Sequence, residues 1–398
     1  MTRRVAVVAA HHDDGWSEEA LLVRRLCGAL ACSADVELLV AGGPPSGATD
    51  GAVRVRRFPS TAVDGRRASA LRRALLGPEP EDLPISCSCT DAVRRRAAAA
   101  LPGAAREALL VAGGGYSDEL FRELAASRHD VVVFVGAGSA STYWGMQAVA
   151  GRRPCVVVPA AAGDPALWSP AVDEVIDAAD RVVVATAFEA GVVRKRAPGL
   201  KDDLLHTVGF VLRVNGMARR APAYGHDGRP TVLVARDWAQ PFPLDRLVAW
   251  CDALVEDFAP RLAVRLAGPG VQAVPARLRA EFAASRTDVW RWMAHALCLL
   301  DPEPRRLLGR EVVESMAFGT PVVVPADGGA TRLHADAGDG GLWYRSYAEL
   351  RACVGALLDD GGLRATLGRQ AEAYATGELG DPDAFVITVG DAVLGVLG

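Results

Sequence analysis

The sequence predicts an α/β protein with two doubly wound domains in tandem. Short apolar runs rich in valine alternate with helical patterns along most of the chain, which is typical of parallel sheets covered by helices on both faces. The alternation stops in a polar stretch rich in Gly, Pro and Arg at 214–230 and then starts again. The length of 398 residues is sufficient for two domains of ordinary size.

The first half begins with a strand at 5–9 and an amphipathic helix at 18–31, for which Ser17 is the predicted N-cap. Further strands are predicted at 36–40, 131–135, 155–158 and 182–185. Residues 42–100 are less regular, which is typical of variable surface. Residues 131–151 carry no charge and are long enough to span a membrane, but Gly136 and Gly138 favour strand, turn and helix instead.

The second half repeats the pattern with strands predicted at 231–234, 262–266 and 296–300 and a helix at 244–258. It continues into a segment in which a short helix ends at Gly319 and a buried strand follows Pro321. This helix carries Glu314 among small and apolar residues. A carboxylate at the carboxyl edge of such a sheet can accept two hydrogen bonds from a ribose diol. The alternative is a glutamate on an exposed helix face, and spacing alone does not decide between them.

Composition excludes several classes of protein. The net charge is −4 and no basic run is present, so we expect no nucleic-acid partner. The eight cysteines lack the spacing of a zinc site, and we expect reduced thiols. The N-terminus lacks the apolar stretch of a signal peptide, which predicts a cytoplasmic protein.

The segment after residue 308 resembles the donor-binding motif of family 4 glycosyltransferases, which retain the anomeric configuration and have the GT-B fold. The matching residues are Gly309, Arg310, Glu314, Met316, Ala317, the run 319–323, Gly328 and Gly329. The resemblance implies two Rossmann-like domains that face each other across a cleft. The expected domains are an acceptor domain at 1–215, a nucleotide-sugar donor domain at 216–380, and a helix at 381–398 that crosses back to the first domain.

The resemblance also implies an activity. The protein would move a sugar from a nucleotide diphosphate to a hydroxyl or amine of a small-molecule or lipid acceptor, with no cofactor beyond the donor substrate. No Asp-x-Asp motif follows a predicted strand, so we expect transfer without a metal ion. The alternative is a degenerate GT-B protein that serves as a partner subunit or nucleotide-sugar binding module. Peripheral contact with a membrane stays open, as does the oligomeric state.

Roles for individual residues follow from the resemblance. Arg236 matches the arginine that stabilises negative charge on the leaving diphosphate. Asp164 matches the aspartate of a His-Asp pair at the cleft, and with Arg236 and His11 it forms the predicted catalytic set. The predicted donor-binding residues are Gly15, Trp16, Arg236, Arg306, Gly309, Arg310, Glu314, Gly328 and Gly329.

The loop after the first strand contains the remaining candidates. Gly15 matches the first glycine of a family pair whose backbone approaches the diphosphate, and Trp16 replaces the second. His11 or Asp13 could act as a general base, while His12, Asp13 and Asp14 are the predicted acceptor-binding residues. A purely structural loop is the alternative, and adjacent ligands without distant partners argue against a metal site.

Three polar family positions are lost. Arg306 stands in place of the first motif glutamate, Pro241 in place of a lysine and Gly163 in place of a histidine. A guanidinium only donates hydrogen bonds and prefers carboxylate or phosphate, so Arg306 favours a charged donor such as a uronic acid or a phosphorylated sugar. Alternatively Arg306 points elsewhere and Glu303 or Glu311 supplies the carboxylate, or the site has lost its activity.

Overall fold

The computed structural model describes the chain except residues 1, 11–16, 44–45, 63, 65, 68–69, 72–102, 161–169, 213–227, 237, 239–243, 270–277, 283–284, 305 and 378. The described residues form two compact units. The first contains the N-terminal strand, Glu18–Phe210 and Pro382–Gly398, and the second contains Val211–Asp381.

The first unit is built on an eight-stranded sheet with the order β3-β4-β2-β1-β5-β6-β7-β8. All neighbouring strands are parallel except β3, which pairs antiparallel with β4 at the edge. Its strands are β1 Arg4–Ala9, β2 Asp35–Ala41, β3 Ser46–Asp50, β4 Val53–Phe58, β5 Val131–Val135, β6 Cys155–Val158, β7 Arg181–Val184 and β8 Leu205–Thr207. The helices between them are α1 Glu18–Leu30, α2 Gly103–Ala112, α3 Asp118–Ala126, α4 Ala140–Val149, α5 Pro170–Asp177 and α6 Ala187–Arg196.

The second unit has a six-stranded sheet with the order β11-β10-β9-β12-β13-β14, and all of its strands are parallel. Its strands are β9 Thr231–Ala235, β10 Ala263–Gly268, β11 Arg279–Phe282, β12 Cys298–Leu300, β13 Val322–Pro325 and β14 Gly341–Tyr344. Its helices are α7 Leu244–Asp257, α8 Arg286–Met293, α9 Arg310–Ala317, α10 Ala330–Ala337, α11 Tyr347–Asp359 and α12 Gly361–Gly377.

The last helix, α13 Pro382–Leu394, belongs to the first unit and packs against α1, β5 and β7. The Arg3 guanidinium donates a hydrogen bond to the Leu394 carbonyl at 3.0 Å. Arg181 donates to the carbonyls of Asp391 and Ala392, both at 3.0 Å. The cationic side chains therefore hold the carboxyl end of α13, where the helix dipole is negative.

The sheets are continuous apolar layers because their central strands are covered on both faces. Every residue of β5 and of β9 is buried, as expected of parallel strands with helices on each side. The predicted fold class of two doubly wound α/β units is confirmed. The stretch 131–151 forms β5, a turn and α4, and no helix of the described residues is long and apolar enough to cross a membrane.

Two predicted features differ from the structure. Residues 46–58 form β3 and β4, although the sequence predicted an irregular stretch there. In β4 the buried Val53, Val55 and Phe58 are interleaved with arginines, and the charges obscured the pattern of a strand. The strand predicted at 296–300 begins only at Cys298. Most of the predicted interdomain linker lies outside the described residues.

Candidate functional site

The motif that resembles a donor site lies at the carboxyl edge of the second sheet. The chain leaves β12 at Leu300, runs through 301–309 and enters α9, all eight residues of which are buried. Gly319 follows α9 with a φ of 73°, and Pro321 precedes β13. The predicted sequence of helix, glycine, proline and buried strand is therefore present. Ligands of doubly wound sheets bind at this edge.

Glu314 is fully buried on α9 and both of its carboxylate oxygens accept hydrogen bonds from guanidinium groups. Arg310 Nε donates to Oε1 at 2.9 Å, and Arg286 Nη2 donates to Oε2. Its exposed fraction is 0%, so the alternative of a glutamate on an exposed helix face is wrong. A ribose diol that used both oxygens would have to replace Arg286, which reaches Glu314 from the first turn of α8.

Arg306 lies between two glutamates. Its Nη1 donates to Glu303 Oε2 and its Nη2 donates to Glu311 Oε2. Glu311 also accepts a hydrogen bond from Arg286 Nη1 at 2.9 Å. Burial alone would raise the pKa of Glu311, but the charges of Arg306 and Arg286 outweigh it and hold the pKa below its ordinary value. Arg306 and both alternative glutamates named from the sequence thus belong to one hydrogen-bonded group.

Arg236 directly follows β9 and joins the same group. Its Nη2 lies 3.0 Å from Glu303 Oε1, and its side chain is only 3% exposed. Its guanidinium carbon also lies 5.6 Å from the centre of the Trp238 ring. Burial lowers the pKa of Arg236 from its ordinary value, and the charge of Glu303 partly offsets that effect. Glu303 therefore connects Arg236 to Arg306.

Asp301 is the remaining charged group at this edge. It follows β12 and is 6% exposed. Its Oδ1 accepts a hydrogen bond from the Glu303 amide at 3.2 Å, whereas its buried Oδ2 has no hydrogen-bond partner among the described residues. Burial raises the pKa of Asp301 to about 7. The carboxyl group is thus neutral over much of the acidic range in which an ordinary aspartate is charged.

Together these residues form what we call the carboxyl-edge cluster. Four guanidinium groups are combined with four carboxyl groups, and no member has a side chain more than 20% exposed. With Asp301 protonated, the cluster carries one excess positive charge. Its members are Arg236, Arg286, Asp301, Glu303, Arg306, Arg310, Glu311 and Glu314.

Predicted glycines bring backbone close to the cluster. Arg306 and Gly329 form a parallel bridge, in which Arg306 N donates to Gly328 O at 3.1 Å and Ala330 N donates to Arg306 O at 3.0 Å. Gly309 has a φ of 64°, and a Cβ there would lie 2.8 Å from Thr331 Cγ2. A Cβ on Gly328 would lie 2.4 Å from Thr331 Oγ1. Side chains at these positions would push the first turn of α10 away from Arg306.

The structure thus places seven of the predicted site residues around one edge: Arg236, Arg306, Gly309, Arg310, Glu314, Gly328 and Gly329. It adds Arg286 and Asp301, which the sequence did not single out. The other predicted residues lie outside the described part of the chain: His11, His12, Asp13, Asp14, Gly15, Trp16 and Asp164. The substituted positions Gly163 and Pro241 lie outside it too, so those assignments stay predictions.

Comparison with solved structures identifies the fold. Sucrose-phosphate synthase from Thermosynechococcus elongatus is 16% identical and superposes with a TM-score of 0.69 over 98% of both chains. WaaG, a glycosyltransferase involved in lipopolysaccharide biosynthesis, is 14% identical with a TM-score of 0.63, covering 98% of this chain and 100% of its own. HepE from Anabaena, solved in complex with UDP-glucose, is 13% identical with a TM-score of 0.62 over 98% of both chains.

These similarities show that the chain has the GT-B fold, as predicted. No protein-family model matches it, and no curated protein matches it by sequence. Assignment to family 4 therefore stays a prediction that rests on the motif.

Proposed function

We propose that the protein is a retaining glycosyltransferase that takes a sugar from a nucleotide diphosphate. The observation that carries this proposal is the carboxyl-edge cluster, in which four guanidinium groups gather where a GT-B protein would hold its donor. Proteins of similar structure support it, since they include synthases of sucrose phosphate and trehalose 6-phosphate and a protein solved in complex with UDP-glucose.

The chemistry requires groups that meet the charge developing on the leaving diphosphate. Arg236 is suited to this role because it is buried directly after β9 and retains its charge next to Glu303. In a retaining transfer of this kind, the leaving phosphate itself takes the proton of the acceptor hydroxyl or amine, so no side-chain nucleophile is needed. We propose that the reaction uses no metal ion and that the acceptor is a small molecule or a lipid.

A second candidate function is a nucleotide-sugar binding module or partner subunit that no longer transfers sugar. The pairing of Glu314 with Arg286 and Arg310 favours it, because the carboxylate proposed for the ribose is already occupied. The lost glutamate and histidine of the family pattern point the same way.

Calorimetry followed by a turnover assay separates these functions. The protein is titrated with UDP, GDP and a panel of nucleotide sugars, and each donor that binds is incubated with mixed acceptors. The transferase is supported if nucleoside diphosphate is released in the presence of EDTA and NMR shows that the transferred sugar keeps its anomeric configuration. Binding without turnover supports the module. Activity that EDTA abolishes and magnesium or manganese restores contradicts the metal-free mechanism.

A further inference from the structure

Two guanidinium groups of the carboxyl-edge cluster meet at a single carboxylate. Arg236 Nη2 lies 3.0 Å from Glu303 Oε1, and Arg306 Nη1 donates to the other oxygen, Glu303 Oε2. Guanidinium groups bind carboxylate and phosphate with the same fork of donors. A carboxylate held by two arginines in this way occupies the position that a phosphate would take.

The two arginines are fixed more firmly than the carboxylate between them. Arg236 continues from β9, and its amide donates to Ala267 O at 3.1 Å. Arg306 is held by its backbone bridge with Gly329, which places it beside the first turn of α10, where the helix dipole favours an anion. Glu303 is 20% exposed and lies on a segment without regular structure, so its side chain can turn away.

The other two arginines of the cluster have different contacts. Arg310 Nε donates to Glu314 at 2.9 Å, and Arg310 precedes Glu314 by one turn of α9. Arg286 donates to both Glu311 and Glu314. Glu311 and Glu314 are 5% and 0% exposed, so an anion from solution cannot replace them without opening the interior of the unit. The exchangeable carboxylate is Glu303.

We propose that Arg236 and Arg306 together form the diphosphate-binding pair of the donor site and that Glu303 occupies this pair until a diphosphate displaces it. The inference rests on the proposed function and deepens it. In this inference Arg306 supplies the positive charge that the family pattern places on a lysine, a position where this chain has Pro241. It also differs from the sequence-based hypothesis, in which Arg306 meets a charged sugar.

The test is calorimetric titration with inorganic pyrophosphate and with UDP, neither of which carries the sugar that a donor would transfer. Glu303→Gln removes the competing charge and keeps the shape of the side chain, so both ligands should bind about 10-fold more tightly. Arg306→Ala should weaken both by about 10- to 100-fold, the range for losing a hydrogen bond between charged groups, and Arg306→Lys should lose less. Arg369→Ala, which removes an exposed arginine of α12, is the matched control and should change nothing.

Unchanged or weaker pyrophosphate binding by Glu303→Gln overturns the inference, as does unchanged UDP binding by Arg306→Ala. If Arg306→Ala weakens the binding of UDP-glucuronic acid but leaves the binding of UDP unchanged, Arg306 contacts the sugar and the inference is wrong. Thermal unfolding checks that each variant folds; if Arg306→Ala does not, Glu303→Gln decides alone. The proposed transferase is judged separately by sugar transfer in the wild type, which can succeed even when this assignment fails.

Discussion

Each unit of the molecule has a group of charged side chains joined by ion pairs, and the two groups differ in burial, density and position. In the first unit, the amino-side cluster consists of Glu37, Arg56, Glu123 and His129, which lie towards the amino ends of β2 and β5. Arg56 Nη1 lies 2.8 Å from Glu123 and 3.7 Å from Glu37, and His129 Nε2 lies 3.1 Å from Glu37. The carboxyl-edge cluster of the second unit has four guanidinium groups where this one has a single arginine.

The difference supports the donor-binding role proposed for the carboxyl-edge cluster. Arg56 and Glu123 are 38% and 36% exposed, so water screens most of their interaction. In the carboxyl-edge cluster no side chain is more than 20% exposed, and burying so many charges is costly unless each is paired. A fold needs no such concentration for its own stability. Its place at the carboxyl ends of the strands, where ligands of these sheets bind, agrees with the proposed donor site.

The largest contrast is expected when one charge is removed from each cluster. Glu314→Gln removes the fully buried carboxylate that Arg286 and Arg310 share and should reduce the free energy of unfolding by about 3–5 kcal/mol. Glu123→Gln in the amino-side cluster should cost only about 0–1 kcal/mol. Urea unfolding at pH 7 measures both. Equal costs would mean that the two clusters do not differ in the way proposed.

A pH profile should distinguish the clusters by sign. Asp301 has a folded pKa of about 7, above its unfolded value of 3.8, so its contribution to stability is present below pH 3.8 and lost as the pH rises to about 7. Asp301→Asn should therefore stabilise the protein at pH 8 by about 1–4 kcal/mol and by little at pH 4. His129, whose pKa burial lowers, acts in the opposite direction, losing stability as the pH falls below 6.5.

Urea unfolding of Asp301→Asn and the wild type at pH 4, 6 and 8 tests this sign. A stability difference that stays constant across the three pH values would show that Asp301 does not titrate on unfolding. A difference that grows towards acid would reverse the assignment.

The smallest expected effects come from two glycines, one in each unit. Gly309→Ala adds a Cβ at a φ of 64° and 2.8 Å from Thr331 Cγ2, and should cost about 1–3 kcal/mol. Gly28→Ala lies at an exposed position of α1, where an added Cβ would meet none of the described residues beyond its own helix within 4 Å, and it should stabilise by about 0.5–1 kcal/mol. Thermal unfolding of the two variants should move in opposite directions. A stabilised Gly309→Ala would show that α10 is not held tightly against the site.

The sequence predicted the parts of this site that depend on neighbours along the chain. Helix α9, Gly319 and β13 follow from apolar patterning and from glycine and proline, whose backbone preferences act locally. The same signals predicted β9, β12 and the strand β1. They failed at β4, where arginines alternate with the buried valines.

The ion pairs of the site could not be predicted in this way. Arg286 contacts Glu311 and Glu314, which lie 25 and 28 residues further along the chain, and no local pattern marks it as their partner. Asp301 is unusual only because its Oδ2 is buried without a hydrogen bond, which is a property of packing. Arg306 was noticed because it departs from a family pattern, yet its position between two glutamates depends on the turn that brings Gly329 beside it.

The return of α13 to the first unit has a consequence for biosynthesis. The first unit is interrupted by the whole of the second, so the ribosome makes the segment that packs on α1 only after Val211–Asp381 has been synthesised. Until then the apolar face of α1 lacks one of its covering elements, while Val211–Asp381 is a continuous stretch of chain that can fold as soon as it emerges. The first unit is therefore completed only after the second, and a nascent chain stopped before Pro382 would expose that face to other proteins.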